Sequence, residues 1–205
     1  MVETMEQIAE AVFFMVFLFY VKGRMLYMKG LSTRQVVTSA LFIALGLLFP
    51  SIFHLFGATA GKVFLPMHIP VLVCGFILGP VPGILCGCLT PLLSSIFTGM
   101  PVLFPQGVVM MLELATYGFF TGLISNRFGI YPSLVGAMLC GRIVSGVAFS
   151  VIMGLSGSVY TLEAFISAAL ITALPGIAIQ LVLVPLLVFS LQRIKVFGER
   201  TVRLI

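Results

Sequence analysis

Between Arg34 and Arg193 the only charged residues are Lys62, Glu113, Arg127, Arg142 and Glu163. A soluble fold needs far more charge than that on its surface, so the solvent this chain is built for is lipid. The 205 residues are 60% hydrophobic and 8% charged, with a mean hydropathy of +1.24. Spans of about 20 residues joined by turns give about six helices in this length and leave no room for a separate soluble domain. The expected fold is an all-α membrane protein, a six-transmembrane-helix bundle.

The remaining charge sits at the ends. Lys22, Arg24, Lys29 and Arg34 precede the first convincing span, Arg193, Lys195, Arg200 and Arg203 follow the last, and Arg127 falls in an internal turn. This positive-inside pattern puts both termini in the cytoplasm and requires an even number of spans. It also accounts for the net charge of +5 without any nucleic-acid partner.

Glycine, proline and charged residues divide the chain. Residues 1–32 form an N-terminal extension, read as an interfacial helix or as sequence upstream of a start at Met25 or Met28. The membrane domain covers residues 33–195, and residues 196–205 are a basic cytoplasmic tail. The spans are expected at about Val36–Phe53, Phe64–Leu78, Ile84–Thr98, Gly107–Ser125, Pro132–Leu155 and Leu162–Leu191. Gly79-Pro80-Val81-Pro82-Gly83 is read as the stop between the second and third, and Asn126-Arg127 closes the fourth. Pro175-Gly176 is the natural bend in the overlong sixth. With the N-terminus inside, the turns at Gly57–Lys62, Gly99–Gln106 and Ser156–Thr161 are external. Small residues four apart recur, as in Gly75/Gly79, Gly83/Gly87, Gly118/Gly122 and Ala137/Gly141, and such pairs let helices approach closely in lipid. In the first span Ser39, Ala40, Ala44 and Gly46 leave a wide smooth face for a partner helix.

Ionisable residues inside a span are costly, so each is a candidate for function. They are His68, Glu113 and Arg142, with His54, Lys62 and Glu163 near the outer ends. His68 and Glu113 are expected in the outer half of the bilayer and Arg142 near its middle, converging on the external side with Thr98, Gln106, Tyr117 and Tyr160 as polar neighbours at similar or shallower depth. Glu113 and Arg142 either form a buried ion pair that fixes helix register, or Arg142 offers its planar fork to a ligand carboxylate. His68, between Pro66 and Pro70, is either a packing residue or a ligand contact.

Several chemistries are set aside. Gly57-Ala-Thr-Ala-Gly61-Lys62 is one residue short of a P-loop and lacks the following Ser or Thr. There is no HExxH, no GxSxG and no Asp in the chain, so neither an enzyme nor a resident cofactor or metal is expected. Cys74, Cys86, Cys88 and Cys140 lie in apolar stretches without a CxxC pair and are read as packing residues.

Taken in order, several segments resemble the substrate-specific (S) component of energy-coupling factor (ECF) transporters. They are Arg34-Gln-Val-Val-Thr-Ser-Ala-Leu-Phe-Ile-Ala-Leu-Gly46, with an Ala-x-x-x-Ala face at Ala40 and Ala44, then Phe64-Leu-Pro-Met-His-Ile-Pro-Val-Leu72 and Gly79–Gly83. Pro91-Leu-Leu-Ser-Ser-Ile-Phe-Thr-Gly-Met-Pro101, Glu113-Leu-Ala-Thr-Tyr-Gly118 and Gly141-Arg-Ile-Val-Ser-Gly146 complete the set. The resemblance implies a multi-pass subunit of the bacterial cytoplasmic membrane that binds a vitamin or vitamin precursor near the outer surface. It also implies a coupling transmembrane subunit and two ATPase subunits on other chains, with Ala40 and Ala44 at the partner interface. The substrate-binding set expected on this basis is Lys62, His68, Gln106, Glu113, Tyr117, Arg142 and Tyr160. Arg142, Lys62 and His68 against Glu113 favour a pantothenate-like small anion, with pyrimidine or pyridoxine-like precursors next. The alternatives are a stand-alone secondary transporter or channel for a small polar metabolite and, further off, an intramembrane enzyme.

Overall fold

The computed structural model describes residues 31–54, 64–155 and 173–193. Within them the chain forms α1 (Thr33–His54), α2 (His68–Leu78), α3 (Pro80–Thr98), α4 (Val108–Phe128), α5 (Ile130–Leu155) and α6 (Leu174–Arg193), and the described residues contain no strand. A π-helical turn, Leu103–Gly107, leads into α4. All but α2 are long and apolar enough to cross a membrane. At about 1.5 Å per residue these five helices measure about 28–39 Å, against a hydrocarbon core of about 30 Å. The expected extension, outer turn at 57–62, turn at 156–161 and basic tail lie outside the described residues, as does about the first third of the expected sixth span.

The start of α1 is set by a reciprocal cap. The Gln35 amide N–H donates to Ser32 Oγ at 3.3 Å, and the Ser32 N–H donates to Gln35 Oε1 at 3.1 Å. This capping box satisfies two of the donors a helix start otherwise leaves unpaired.

Several expected boundaries are corrected. The second span was expected from Phe64, but α2 begins at His68 and is only about 16 Å long, half a bilayer. Leu65 interrupts the helix at φ 50°, a left-handed conformation that costs a leucine about 1–2 kcal/mol, and Pro66 follows it. Gly79–Gly83 is not a five-residue stop. The turn is Gly79 alone, at φ 101°, and α3 starts at Pro80. Pro80 and Pro82 sit in the first turn, where a missing N–H breaks no helical bond. Helix α4 runs through Asn126-Arg127 to Phe128, and α5 starts at Ile130 rather than Pro132, with Gly129 at φ 81° between them. Pro175 likewise lies in the first turn of α6, so the described helix begins where a bend was expected.

Helix α2 is buried on every side, by α1, α3, α4 and α6. Its closest packing is backbone to backbone. A Cβ on Gly75 would meet the Gly118 carbonyl and Thr121, one on Gly83 would meet Gly118, and one on Gly87 would meet the backbone of Leu114 and Ala115. One on Gly122 would meet Gly79 and Pro80. Helices α2, α3 and α4 therefore form a tight unit built on absent side chains. Hydroxyls fasten the segment after α3 to that helix: Ser94 Oγ donates to the Met100 carbonyl at 2.6 Å, Ser95 Oγ to Pro101 at 2.5 Å and Thr98 Oγ1 to Met100 at 3.0 Å.

The outside of the bundle is apolar. On α5, Tyr131, Val135, Leu139, Ile143, Val147 and Val151 are exposed at intervals of four. On α1 the exposed face carries Val36, Val37, Ala40, Leu41, Ala44, Leu48 and Ile52. Apolar stripes of this extent are stable against lipid or another apolar helix, not against water.

Candidate functional site

The site is assembled from three helices. His68 is the first residue of α2, Glu113 and Tyr117 lie one turn apart on α4, and Arg142 is midway along α5. The local sequence explains how α4 and α5 come close enough. Gly141 has no side chain, and a Cβ there would collide with the Tyr117 ring. The ring fills that space, and the neighbouring Arg142 is brought against Glu113.

Three groups converge on one carboxylate oxygen. Arg142 Nη1 is 3.0 Å from Glu113 Oε1, Tyr117 Oη donates to the same oxygen at 2.8 Å, and His68 Nε2 lies 3.7 Å away. The last distance is beyond a hydrogen bond. His68 and Tyr117 also meet as rings, with centroids 5.4 Å apart and planes tilted by 54°. His68 is 2% exposed, Tyr117 1% and Glu113 7%, while the Arg142 side chain is 16% exposed, so the carboxylate is buried and the guanidinium mostly so. In such surroundings the carboxylate and guanidinium depend on each other, and removing one typically costs about 3–5 kcal/mol because the other is left buried and uncompensated.

Other groups in the bundle have no partner. Both ring nitrogens of His68, Arg142 Nε, and both amide atoms of Gln180 are buried without a hydrogen bond. Each unsatisfied group of this kind costs about 1–3 kcal/mol. Gln180 is fully buried on α6, on the stripe Gly176, Gln180, Val184 and Val188. Gln180 carries no charge, so the cost that marks an ionisable residue in an apolar span does not single it out. The available signal was an amide standing alone in the apolar run from Ile177 to Val188.

Of the expected binding residues, the structure brings together His68, Glu113, Tyr117 and Arg142. Gln106 is exposed in the π-helical turn, about two helical turns before Glu113. Lys62 and Tyr160 lie outside the described residues. Ala40 and Ala44 are exposed on the outward face of α1, away from this cluster. Cys74 and Cys86 are buried and Cys88 half-buried, all as free thiols, with Cys86 Sγ 3.7 Å from Thr90 Oγ1. Among the described residues no group of three or more His, Cys, Asp or Glu side chains is placed to hold a metal.

No curated protein and no solved structure matches the chain. A family model described as the substrate-specific component of ECF transporters matches residues 34–188. Members of that family are substrate-binding subunits of membrane importers rather than enzymes, and a stand-alone transporter or channel is not favoured by the match. A buried polar cluster inside an apolar bundle suits such a subunit, and the match covers every residue of the cluster: the chain belongs to the substrate-specific components of ECF transporters.

Proposed function

We propose that this chain is the high-affinity binding subunit for a vitamin or vitamin precursor, working with a coupling transmembrane subunit and two ATPase subunits in a bacterial cytoplasmic membrane. The observation that carries this reading is the cluster of His68, Glu113, Tyr117 and Arg142 between α2, α4 and α5, in an interior whose other buried side chains, among the described residues, are uncharged. Polar groups in such a place are expensive, and binding a small polar molecule is the role that fits them in a protein of this family. Residues 33–195 form the membrane domain in this reading, with both termini cytoplasmic, residues 1–32 as an extension and 196–205 as a tail. The outer residues Lys62, Gln106 and Tyr160 act at the mouth of the site, and Ala40 and Ala44 receive the coupling subunit.

A pantothenate-like anion is the second reading of the ligand. Arg142 Nε is buried without a partner and offers a donor to a ligand carboxylate. Against it, Glu113 already holds the guanidinium at 3.0 Å and an anion would compete for it.

Mass spectrometry of small molecules carried through purification, followed by calorimetric titration with the molecule found, tests the main reading. A single vitamin-sized compound bound with submicromolar affinity is expected. A purified, folded chain that retains nothing and binds no vitamin would sink it.

A further inference from the structure

Resting on the reading of the site as a vitamin-binding pocket, we infer that its ligand is uncharged and is held by His68 and Gln180, while Glu113 and Arg142 stay closed on each other as a structural pair.

Charge comes first. The carboxylate and guanidinium meet at 3.0 Å, and Tyr117 donates to the same oxygen at 2.8 Å, so this part of the site is neutral as it stands. A ligand carboxylate would enter a buried region whose cation is already matched. It would either displace Glu113, stranding that charge, or remain uncompensated itself.

The unpaired groups point the same way. The buried atoms in these helices without a partner are Arg142 Nε, Nδ1 and Nε2 of His68, Oε1 and Nε2 of Gln180, Ser125 Oγ and Gln192 Nε2. Ser125 and Gln192 stand near Arg127 and Arg193, about 18 Å along their helices from Glu113 and Gln180, which leaves His68 and Gln180 near the Glu113–Arg142 pair. A side-chain amide presents an acceptor beside a donor, and a neutral imidazole presents one of each. Both therefore need a ligand that donates as well as accepts. A carboxylate only accepts, and would leave Gln180 Oε1 and one nitrogen of His68 unmet. An amide, lactam, ureido or pyrimidinone edge satisfies both, and Arg142 Nε serves a neutral carbonyl as well.

Gln180 and His68 stand on packed helices, at levels within about one helical turn of each other. Helix α6 packs on α2, which His68 begins, and on α5, which carries Arg142. The positive-inside pattern places Arg127 and Arg193, at the ends of α4 and α6, on one side of the membrane. Measured from that side at 1.5 Å per residue, Arg142, Gln180 and Glu113 lie at about 18–21 Å, and His68, whose helix ends at Gly79 against Gly122, at about 24 Å. The stripe that buries Gln180 is the one carrying Val184 and Val188 into the core shared with α2.

The test is calorimetric titration of the purified full-length chain in nanodiscs with matched pairs that differ in a carboxylate. Pantothenol against pantothenate, nicotinamide against nicotinate and biotinamide against biotin serve, alongside identification of any molecule retained through purification. An uncharged retained molecule is expected, and in any pair that binds, the uncharged member should be at least tenfold tighter. Gln180→Leu and His68→Phe should each weaken binding at least tenfold without lowering the melting temperature, since each removes a buried unpaired group. A retained anion, a tighter carboxylate member, or undiminished affinity in Gln180→Leu would overturn the inference and leave the binding-subunit reading standing. A chain that retains and binds nothing would remove both. The comparison of pairs uses the unmodified chain and so holds whether or not the variants fold.

Discussion

Glu113 gathers Arg142, Tyr117 and the edge of His68 at a single oxygen, so each neighbour can be removed in turn and the consequences told apart. Arg142→Met strands a buried carboxylate and should destabilise the protein by roughly 3–5 kcal/mol. Adding Glu113→Gln removes that charge, so the double variant should recover most of the loss in melting temperature. If the pair is structural, it should recover ligand affinity too. A stable Arg142→Met single variant would show that Glu113 does not depend on this guanidinium. Tyr117→Phe keeps the ring that fills the space beside Gly141 and removes only the hydroxyl. It should cost roughly 1.5–3 kcal/mol, the range for a hydrogen bond to a charged group, read as a fall in melting temperature at unchanged helical content. The identities of these residues were legible in the sequence, because ionisable side chains are rare in apolar spans and their cost marks them. Their partners were not. Whether Arg142 meets Glu113 or a ligand depends on how α4 and α5 turn towards each other, and that is set by Tyr117 lying over Gly141. Gln180 was legible only to a search for uncharged polar groups.

At the scale of elements, the positions of the helices could be read from runs of apolar sequence, whereas their ends depended on local backbone chemistry. Proline marked a break between the second and third spans, but Pro80 and Pro82 stand where a helix tolerates them, and the break shrank to Gly79. Leu65 shortened α2 through a conformation that nothing about leucine announces. The spacing of Gly83 and Gly118 was visible, but not that the two would face each other. Their backbones are in mutual contact, so a methyl group at either has nowhere to go. Gly118→Ala should therefore cost roughly 1–3 kcal/mol, typical of overpacking, and Gly83→Ala a similar amount. Because they press on the same contact, the two losses should not add. Gly154, with open space around it, is the control, and Gly154→Ala should leave the melting temperature within a degree or two. The exposed face of α1 predicts the opposite outcome. Ala40→Trp with Ala44→Trp adds bulk outside the bundle, so ligand binding should persist. Co-purification with the coupling subunit should fall sharply if that face is where the partner helix lies. A variant pair that keeps its partner in full would place the interface elsewhere.

For the whole molecule, the question is whether the chain can do work on its ligand. Concentrating a solute needs an energy source coupled to a change of shape, and the sequence contains no complete phosphate-binding loop. An ion gradient could serve instead, but a proton-coupled carrier needs an intramembrane carboxylate that gains and loses its proton as access alternates. The two acidic residues between Arg34 and Arg193 are Glu113 and Glu163. Glu113 is held by a guanidinium at 3.0 Å and a phenol at 2.8 Å, contacts it would have to give up to serve as the cycling acid of a carrier. The tight unit of α2, α3 and α4 adds to this, since it gives no room for one of these helices to slide on another. On the function proposed above, movement of the ligand across the membrane would then come from motion of the bundle as a body, driven by the partner subunits. In proteoliposomes containing only this chain, the radiolabelled form of its retained ligand should bind saturably and reach no internal excess, with or without a proton gradient. With the coupling subunit, the two ATPases and internal ATP, the same vesicles should accumulate it. Accumulation by the single chain under a proton gradient would show that Glu113 or Glu163 cycles after all, and would restore the stand-alone transporter.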